Sequence, residues 1–303
     1  MYELIAANKR NSWLLAIVMF GVLCALGFVI GGAWGSWQVG LALALIVAIV
    51  MAVSSYFSGG AILMGVSGAR EIRKQDHPQL FNVVEEMTIA GGLPMPRIFV
   101  IDDTAPNAFA TGRDPEHSMV AVTTGLLDKM NRSELQGVIA HEMSHIKNYD
   151  ILFGMMMAVM VGVIALLCDF FLRSTFRGMG RRSSRRGKGG AAGGIFLLIA
   201  LVLAILAPFI SKLIQLAVSR QREYLADASA VLLTRDTEGL ASALQKISSD
   251  KEVLEVANRA TQHLYIVNPI KPFEDRAKAL FSTHPPIQER IRRIRSVVLG
   301  QPA

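Results

Sequence analysis

The chain has 303 residues, of which 52% are apolar and only 18% are charged. Soluble domains usually carry about 25% charged residues, so this composition, with a mean hydropathy of +0.40, indicates a membrane protein and excludes a disordered chain. The formal net charge of +7 equals the charge of the segment 173–190, which contains seven basic residues and no acidic residue. The remainder of the chain is therefore neutral. Cys24 and Cys168 lie in apolar runs, which excludes a disulfide scaffold.

Residues 1–69 are predicted to form two transmembrane helices. No charged residue occurs between Arg10 and Arg70, and the apolar segments 13–34 and 39–56 fill that stretch. Each segment is close to the roughly 20 residues that cross a bilayer. The first segment is too long for the apolar part of a signal peptide, and a second one follows at once, so we expect no cleavage.

Residues 70–150 are predicted to be a cytosolic part of the protein. Pro78 favours the start of a helix that ends at Gly91–Gly92. The β-branched and aromatic residues of 97–101 and 118–123 predict two strands, and 102–112 is expected to be a loop.

Two more apolar segments, at 151–172 and 191–206, follow. We expect residues 151–212 to form a hydrophobic helical hairpin around the basic loop 173–190. Pro208 is expected to kink or end its second helix. The amphipathic remainder, 213–303, is predicted to be a cytosolic helical part.

The most informative motif is His-Glu-Met-Ser-His at 141–145. On a helix, His141 and His145 share one face, so both imidazoles can bind one metal ion with Glu142 beside it. This spacing is typical of two zinc ligands and a general base. Ser133 and Gln136 have the spacing of a capping box, which predicts the start of that helix.

A third ligand is needed, because catalytic zinc usually has three protein ligands and a position for water. Glu223 is the best candidate. Asp227 lies four residues on, where its carboxylate can accept the ring N–H of a ligand histidine and orient it. The alternative is that both acids pair with Arg220 and Arg222 on a solvated helix.

Together with the paired N-terminal segments, four motifs resemble the HtpX family of membrane-embedded zinc metalloproteases, which is related to the CAAX prenyl proteases. The motifs are Asn107–Gly112, His141–His145, Arg222–Asp227 and Thr283–Pro286. The resemblance implies a mainly α membrane protein, with transmembrane helices and a cytosolic zincin-like α+β metalloprotease domain that has a small β-sheet. It also implies one Zn²⁺ per chain, a bacterial inner-membrane location, a cytoplasmic active site, and cleavage of membrane or misfolded proteins in quality control and the stress response.

The same resemblance suggests roles for residues outside the metal site. His284 is a candidate donor to the oxyanion of the transition state, or else an ordinary histidine before Pro285 at a helix start. Asn107 corresponds to a position near the substrate cleft, or else it is a plain turn residue. Arg290 either supports the same region as His284 or, as we favour, is an ordinary surface residue. The strand 118–123 is either an exposed edge that pairs with an extended substrate or a core strand.

The distribution of charge predicts the topology but leaves one conflict. Lys9 and Arg10 precede the first apolar segment, and basic residues follow the second, so the N-terminus and 70–150 are expected in the cytoplasm. His145 and Glu223 must then meet on that side. If 151–212 spans twice, the basic loop faces the periplasm and violates the positive-inside rule. We favour four spans; the alternative is a hairpin that does not cross, with its loop near anionic lipid headgroups.

A zinc-dependent endopeptidase is therefore the leading hypothesis, with membrane lipids and polypeptide substrates as partners. A non-catalytic membrane adaptor with a structural metal is the alternative, although a structural site needs no Glu142. Nucleic-acid binding is not expected, because the basic segment contains a single aromatic residue, Phe176. The sequence predicts no particular oligomeric state.

Overall fold

The computed structural model describes residues 2–179, 191–250, 252, 266 and 285–297. These residues form mostly helices and one small sheet. The helices are α1 (Tyr2–Ala33), α2 (Trp37–Val66), α3 (Pro78–Gly91), α4 (Thr124–Lys129), α5 (Arg132–Lys147), α6 (Asp150–Met179), α7 (Ala191–Thr234), α8 (Thr237–Ser249) and α9 (Ile287–Val297). The strands are β1 (Arg70–Glu71), β2 (Arg97–Ile101), β3 (Ala108–Gly112) and β4 (Ser118–Thr123).

The chain divides into two compact units. The sheet unit comprises Met1–Lys9, Phe57–Met155 and Leu216–Ala303, and the helical unit comprises Arg10–Tyr56 and Met156–Gln215. Both α6 and α7 contribute residues to each unit.

Within the described residues, two helical stretches are long and apolar enough to cross a membrane. They are Trp37–Val66 and Asp150–Thr175, and two shorter apolar stretches cover Ile17–Ala33 and Leu197–Ser211. Large side chains of α2 are more than half exposed, among them Ile46, Ile49, Val50 and Val53. A core helix of a soluble protein would bury such side chains. The helices therefore indicate a membrane protein, as the composition predicted.

Glycines bring α1 and α2 together within the helical unit. A Cβ atom on Gly31 would lie 2.6 Å from the Cα of Gly40, and one on Gly27 would lie 2.5 Å from the Cβ of Ala44. Only glycine fits such a close approach of two backbones. Gly35, with a φ of 99°, forms the left-handed turn that reverses the chain between the two helices.

The sheet has the strand order β1-β2-β4-β3. β4 pairs with β2 in parallel and with β3 antiparallel, so the predicted strand at 118–123 is confirmed as a core strand. The interpretation of β4 as an exposed edge is wrong, because the outer strand on that side is β3. The prediction of a loop through 102–112 is also wrong at its end. Ala108–Gly112 has little intrinsic strand preference, but every residue in it is buried and pairing with β4 overrides the local signal.

Two predicted helix ends can be compared with the structure. The helix from Pro78 to Gly91 is confirmed, and Gly92 ends it in the left-handed conformation with a φ of 62°. The capping box proposed at Ser133 is wrong by two residues. Asn131 is the N-cap of α5, and it exchanges hydrogen bonds with Glu134.

The interior of the sheet unit packs closely around α5. Apolar side chains of α5 lie in one buried cluster with side chains of α3, the sheet, α8 and α9, and they include Val138, Ile139, Met143 and Ile146. A Cβ atom on Gly137 would lie 2.6 Å from the backbone nitrogen of Leu240, so glycine lets α8 approach the helix backbone closely. The face of α5 that carries the histidines is thereby fixed.

The helices α6 and α7 extend beyond their apolar parts. α6 continues to Met179, so the start of the basic segment is helical, and residues 180–190 lie outside the described residues. α7 is a single helix of 44 residues with Pro208 inside it. Pro208 therefore does not end the helix, and the stretch that follows it continues to Thr234.

Candidate metal centre

Three side chains from two helices converge on one point. His141 and His145 lie one turn apart on α5, and their Nε2 atoms are 3.1 Å apart. From α7, Glu223 places Oε2 at 3.6 Å from the Nε2 of His141 and Oε1 at 3.7 Å from that of His145. Zinc ligands at about 2.0–2.1 Å in a tetrahedron lie about 3.3 Å from one another. The separations and the donor types therefore fit a single metal ion.

His141 is held by a buried carboxylate and a buried guanidinium. Its Nδ1 lies 3.0 Å from Oδ1 of Asp227. Arg290 donates two hydrogen bonds to Asp227, at 2.9 and 2.8 Å, and its Nη1 is 3.2 Å from Glu223. The expectation that Arg290 is a surface residue is wrong, because this residue of α9 is completely buried.

The electrostatic environment of His141 favours a basic imidazole. Burial lowers its pKa, but hydrogen bonds with the carboxylates of Asp227 and Glu223 outweigh burial and raise the pKa to about 9. A carboxylate on the second ring nitrogen makes a histidine a stronger metal ligand.

His145, like His141, has a carboxylate at Nδ1 and an arginine bound to that carboxylate, which the sequence did not predict. Its Nδ1 lies 3.1 Å from Oδ2 of Asp150. Arg222 donates a hydrogen bond of 2.6 Å to Oδ1 of the same carboxylate, and its guanidinium carbon is 3.8 Å from the centre of the Phe153 ring. The only sequence signal was the position of Asp150, five residues after His145 at the start of an apolar helix.

Glu142 lies beside the ligands and is only 2% exposed. Burial raises the pKa of its carboxyl group, and the neighbouring His141 and His145 partly offset that rise. A backbone hydrogen bond from Ala110 also lowers the pKa. A buried carboxylate whose pKa is raised is well suited to accept and return a proton.

The strand β3 lies between β4 and α5. One side of β3 pairs with β4, and on the other side Ala110 contacts Glu142 and the backbone oxygen of Ala108 accepts a hydrogen bond of 2.9 Å from Ile266. The sheet edge beside the metal centre is therefore β3.

Of the two further candidate residues, Asn107 and His284, the structure describes only Asn107. Asn107 immediately precedes β3 and is buried. Its side-chain oxygen accepts a hydrogen bond from the backbone of Ala108, and its backbone pairs with Thr123, so it shapes the start of the strand. His284 lies outside the described residues.

Comparisons with known proteins show the family of this chain. The sequence model described as peptidase family M48 matches residues 74–298. A protein named "Protease HtpX homolog" from Dictyoglomus turgidum is 45% identical over 97% of this chain and 94% of its own length. One of the same name from Thermoanaerobacter pseudethanolicus is 44% identical over 99% and 98% of the two chains.

The fold is also similar to a solved structure. The crystal structure of S. mikatae Ste24p superposes with a TM-score of 0.52 at 20% identity, over 97% of this chain and 67% of the other. The predicted fold class, a mainly α membrane protein with a small sheet and a metalloprotease domain, is confirmed, as is the resemblance to the HtpX family. The chain belongs to peptidase family M48 and is a membrane-associated metallopeptidase with polypeptide substrates.

Proposed function

We propose that this protein is a zinc-dependent endopeptidase of the bacterial inner membrane that cleaves membrane or misfolded proteins. The observation that carries the proposal is the convergence of His141, His145 and Glu223 beside the buried Glu142. Two histidines and a carboxylate suit zinc better than the harder divalent ions. Structural zinc sites are usually closed by four ligands, whereas three converge in the part of the chain that the structure describes. This argues against the alternative of a non-catalytic adaptor.

The side chains of the site have separate roles in peptide hydrolysis. Zinc held by the three ligands would polarise the peptide carbonyl and lower the pKa of water towards about 7. Glu142 accepts the proton of the attacking water and then delivers it to the leaving amine nitrogen. Asp227 orients His141 through the Nδ1 contact. His284 is the proposed donor to the developing oxyanion.

An extended substrate is proposed to bind along β3. The side of this strand that does not pair with β4 faces Glu142 through Ala110, so a peptide aligned there would replace Ile266 at Ala108 and pass the catalytic carboxylate. Backbone pairing contributes affinity with little dependence on sequence. Asn107, at the start of β3, would contact the same cleft.

The function is tested by Glu142→Gln, assayed on an unfolded casein-like substrate in detergent. We expect proteolysis to fall by about 10²–10⁴-fold while bound metal is retained, since Glu142 is not a ligand. The exposed Glu238→Gln is the matched control and should cleave normally. A Glu142→Gln protein that keeps both its metal and its activity would exclude Glu142 as the base.

The identity of the metal is tested by elemental analysis of purified wild-type and Glu223→Ala proteins. We expect one zinc per chain in the wild type and little zinc in the variant, because two histidines alone bind it weakly. Undiminished zinc in Glu223→Ala would remove Glu223 from the site.

The proposed topology has four spans, an active site that faces the cytoplasm, and lipid as a direct partner of the apolar helices. Ser183 and Ser184, outside the described residues, lie in the segment that decides it. A cysteine placed at either position should react with an impermeant thiol reagent in intact cells. Protection until the membrane is permeabilised would contradict four spans and favour a loop that stays by cytoplasmic headgroups.

A further inference from the structure

The two histidines of the metal centre have the same types of side chain around them. Each directs Nδ1 to a carboxylate that an arginine holds from behind, and all four of these side chains are buried. The pairs are Asp227 with Arg290 behind His141, and Asp150 with Arg222 behind His145. The first carboxylate comes from the helix that supplies Glu223, whereas the second comes from a different element.

A strained turn brings Asp150 to His145. The helix α5 ends at Lys147 and α6 begins at Asp150. Between them, Tyr149 has a φ of 59°, a left-handed conformation that a bulky residue rarely adopts and that persists only where the surrounding structure imposes it. With the chain in this turn, the first side chain of α6 lies 3.1 Å from the imidazole of His145.

Arg222 completes the arrangement from α7. It hydrogen-bonds to Oδ1 of Asp150 at 2.6 Å, which leaves Oδ2 for His145. The Asp150–Arg222 pair is almost fully buried, and the Phe153 ring covers the guanidinium. A buried ion pair is a costly way to gain stability alone, whereas an oriented carboxylate beside a ligand histidine has a direct use.

We propose that Asp150, held by Arg222, is a positioning residue for His145. The carboxylate accepts the Nδ1–H of the imidazole, which fixes the ring and leaves the Nε2 lone pair for the metal. Arg222 is adjacent to Glu223 in the chain. Its hydrogen bond to Asp150 therefore also fixes the position of Glu223 relative to His145. This inference rests on the proposed zinc site.

The test compares zinc affinity in Asp150→Asn, Arg222→Lys and Asp169→Asn. Asp169 is a matched control, because it lies on the same helix and forms an exposed ion pair with Arg173. Affinity is measured by competition with a chromophoric chelator in detergent, and the Co²⁺-substituted proteins give an absorption spectrum that reports the coordination geometry. Melting temperatures of the metal-free proteins report stability separately.

We expect Asp150→Asn to bind zinc about 10–100-fold more weakly and to change the Co²⁺ spectrum. Arg222→Lys should show the same changes to a smaller degree, and Asp169→Asn should match the wild type. If the ion pair is only structural, the melting temperature of Asp150→Asn falls while its zinc affinity and spectrum stay unchanged, and the proposal is overturned. If Asp150→Asn does not fold, Arg222→Lys decides by the same two measurements.

A His145→Ala variant separates this inference from the proposed function. Wild-type protein that binds no stoichiometric zinc, or His145→Ala that binds it as tightly as the wild type, contradicts the proposed metal site itself. If the wild type binds one zinc and His145→Ala binds it weakly, the metal site stands. Unchanged zinc affinity in Asp150→Asn and Arg222→Lys then overturns only the positioning role of Asp150.

Discussion

The sheet unit and the helical unit are each stabilised internally by a different kind of contact. The sheet unit buries charged side chains, and those around the metal centre have partners of opposite charge within about a hydrogen-bond length, as Arg290 has in Asp227. The helical unit has an apolar surface and brings α1 against α2 through glycines, as Gly31 meets Gly40. The difference follows from the surroundings of each unit.

In hydrocarbon, apolar side chains gain little from burial, so membrane helices associate through close backbone packing. In a buried polar site, a charge without a partner is expensive to desolvate, so charges are arranged in hydrogen-bonded sets. The two units should therefore respond differently to the same small change in a side chain.

The largest expected effect is that of Arg290→Gln in the sheet unit. Removal of the guanidinium leaves Asp227 and Glu223 buried without their cation, which should lower the free energy of unfolding by about 3–5 kcal/mol. Denaturant unfolding in detergent, with a chelator present so that zinc does not contribute, measures it. Arg292→Gln on the exposed side of α9 is the control and should change stability little. Equal effects of the two substitutions would show that burial of Arg290 is not what matters.

A smaller effect is expected from Gly31→Ala in the helical unit. The added methyl group would meet the backbone of Gly40 at 2.6 Å, and separating the helices should cost about 1–3 kcal/mol. Gly21→Ala is the matched control on the same helix, because a Cβ atom there meets nothing within 4 Å. Alanine favours a helix over glycine by about 1 kcal/mol, so the control should be neutral or stabilised. Thermal unfolding in detergent measures both variants, and destabilisation by Gly21→Ala would contradict the contact-based explanation.

The smallest effect concerns acid stability at the start of α5. Burial raises the pKa of Glu134, but hydrogen bonds from Lys246, Ser242 and the backbone of Asn131 outweigh it and lower the pKa below its usual 4.5. A carboxylate with a lowered pKa in the folded state stabilises the protein above the unfolded-state pKa and loses this contribution as the pH falls. The melting temperature of metal-free protein should therefore decline below about pH 4.5.

The variant Glu134→Gln should flatten that decline, whereas the exposed Glu85→Gln should leave it unchanged. The measurement is the melting temperature as a function of pH in the presence of a chelator. A decline of equal slope in wild type and Glu134→Gln would assign the acid sensitivity to other groups.

The sequence by itself determined the features that depend on neighbours in the chain. Runs of apolar residues indicate membrane helices because hydropathy is a local sum, and Pro78 and Gly92 mark helix ends because each restricts or permits particular backbone angles. The spacing of His141 and His145 places both on one helix face for the same reason. The β-branched and aromatic residues of 97–101 likewise predicted the strand β2.

Only the tertiary structure decided which distant groups meet. Asp150 and Arg222 are 72 residues apart in the chain, and Arg290 is 63 residues from Asp227. No periodic signal joins such pairs, so the sequence favours a surface position for Arg290. The position of β3 at the sheet edge depends likewise on its pairing with β4, because strand order is set by long-range hydrogen bonds and not by the propensity of a five-residue segment.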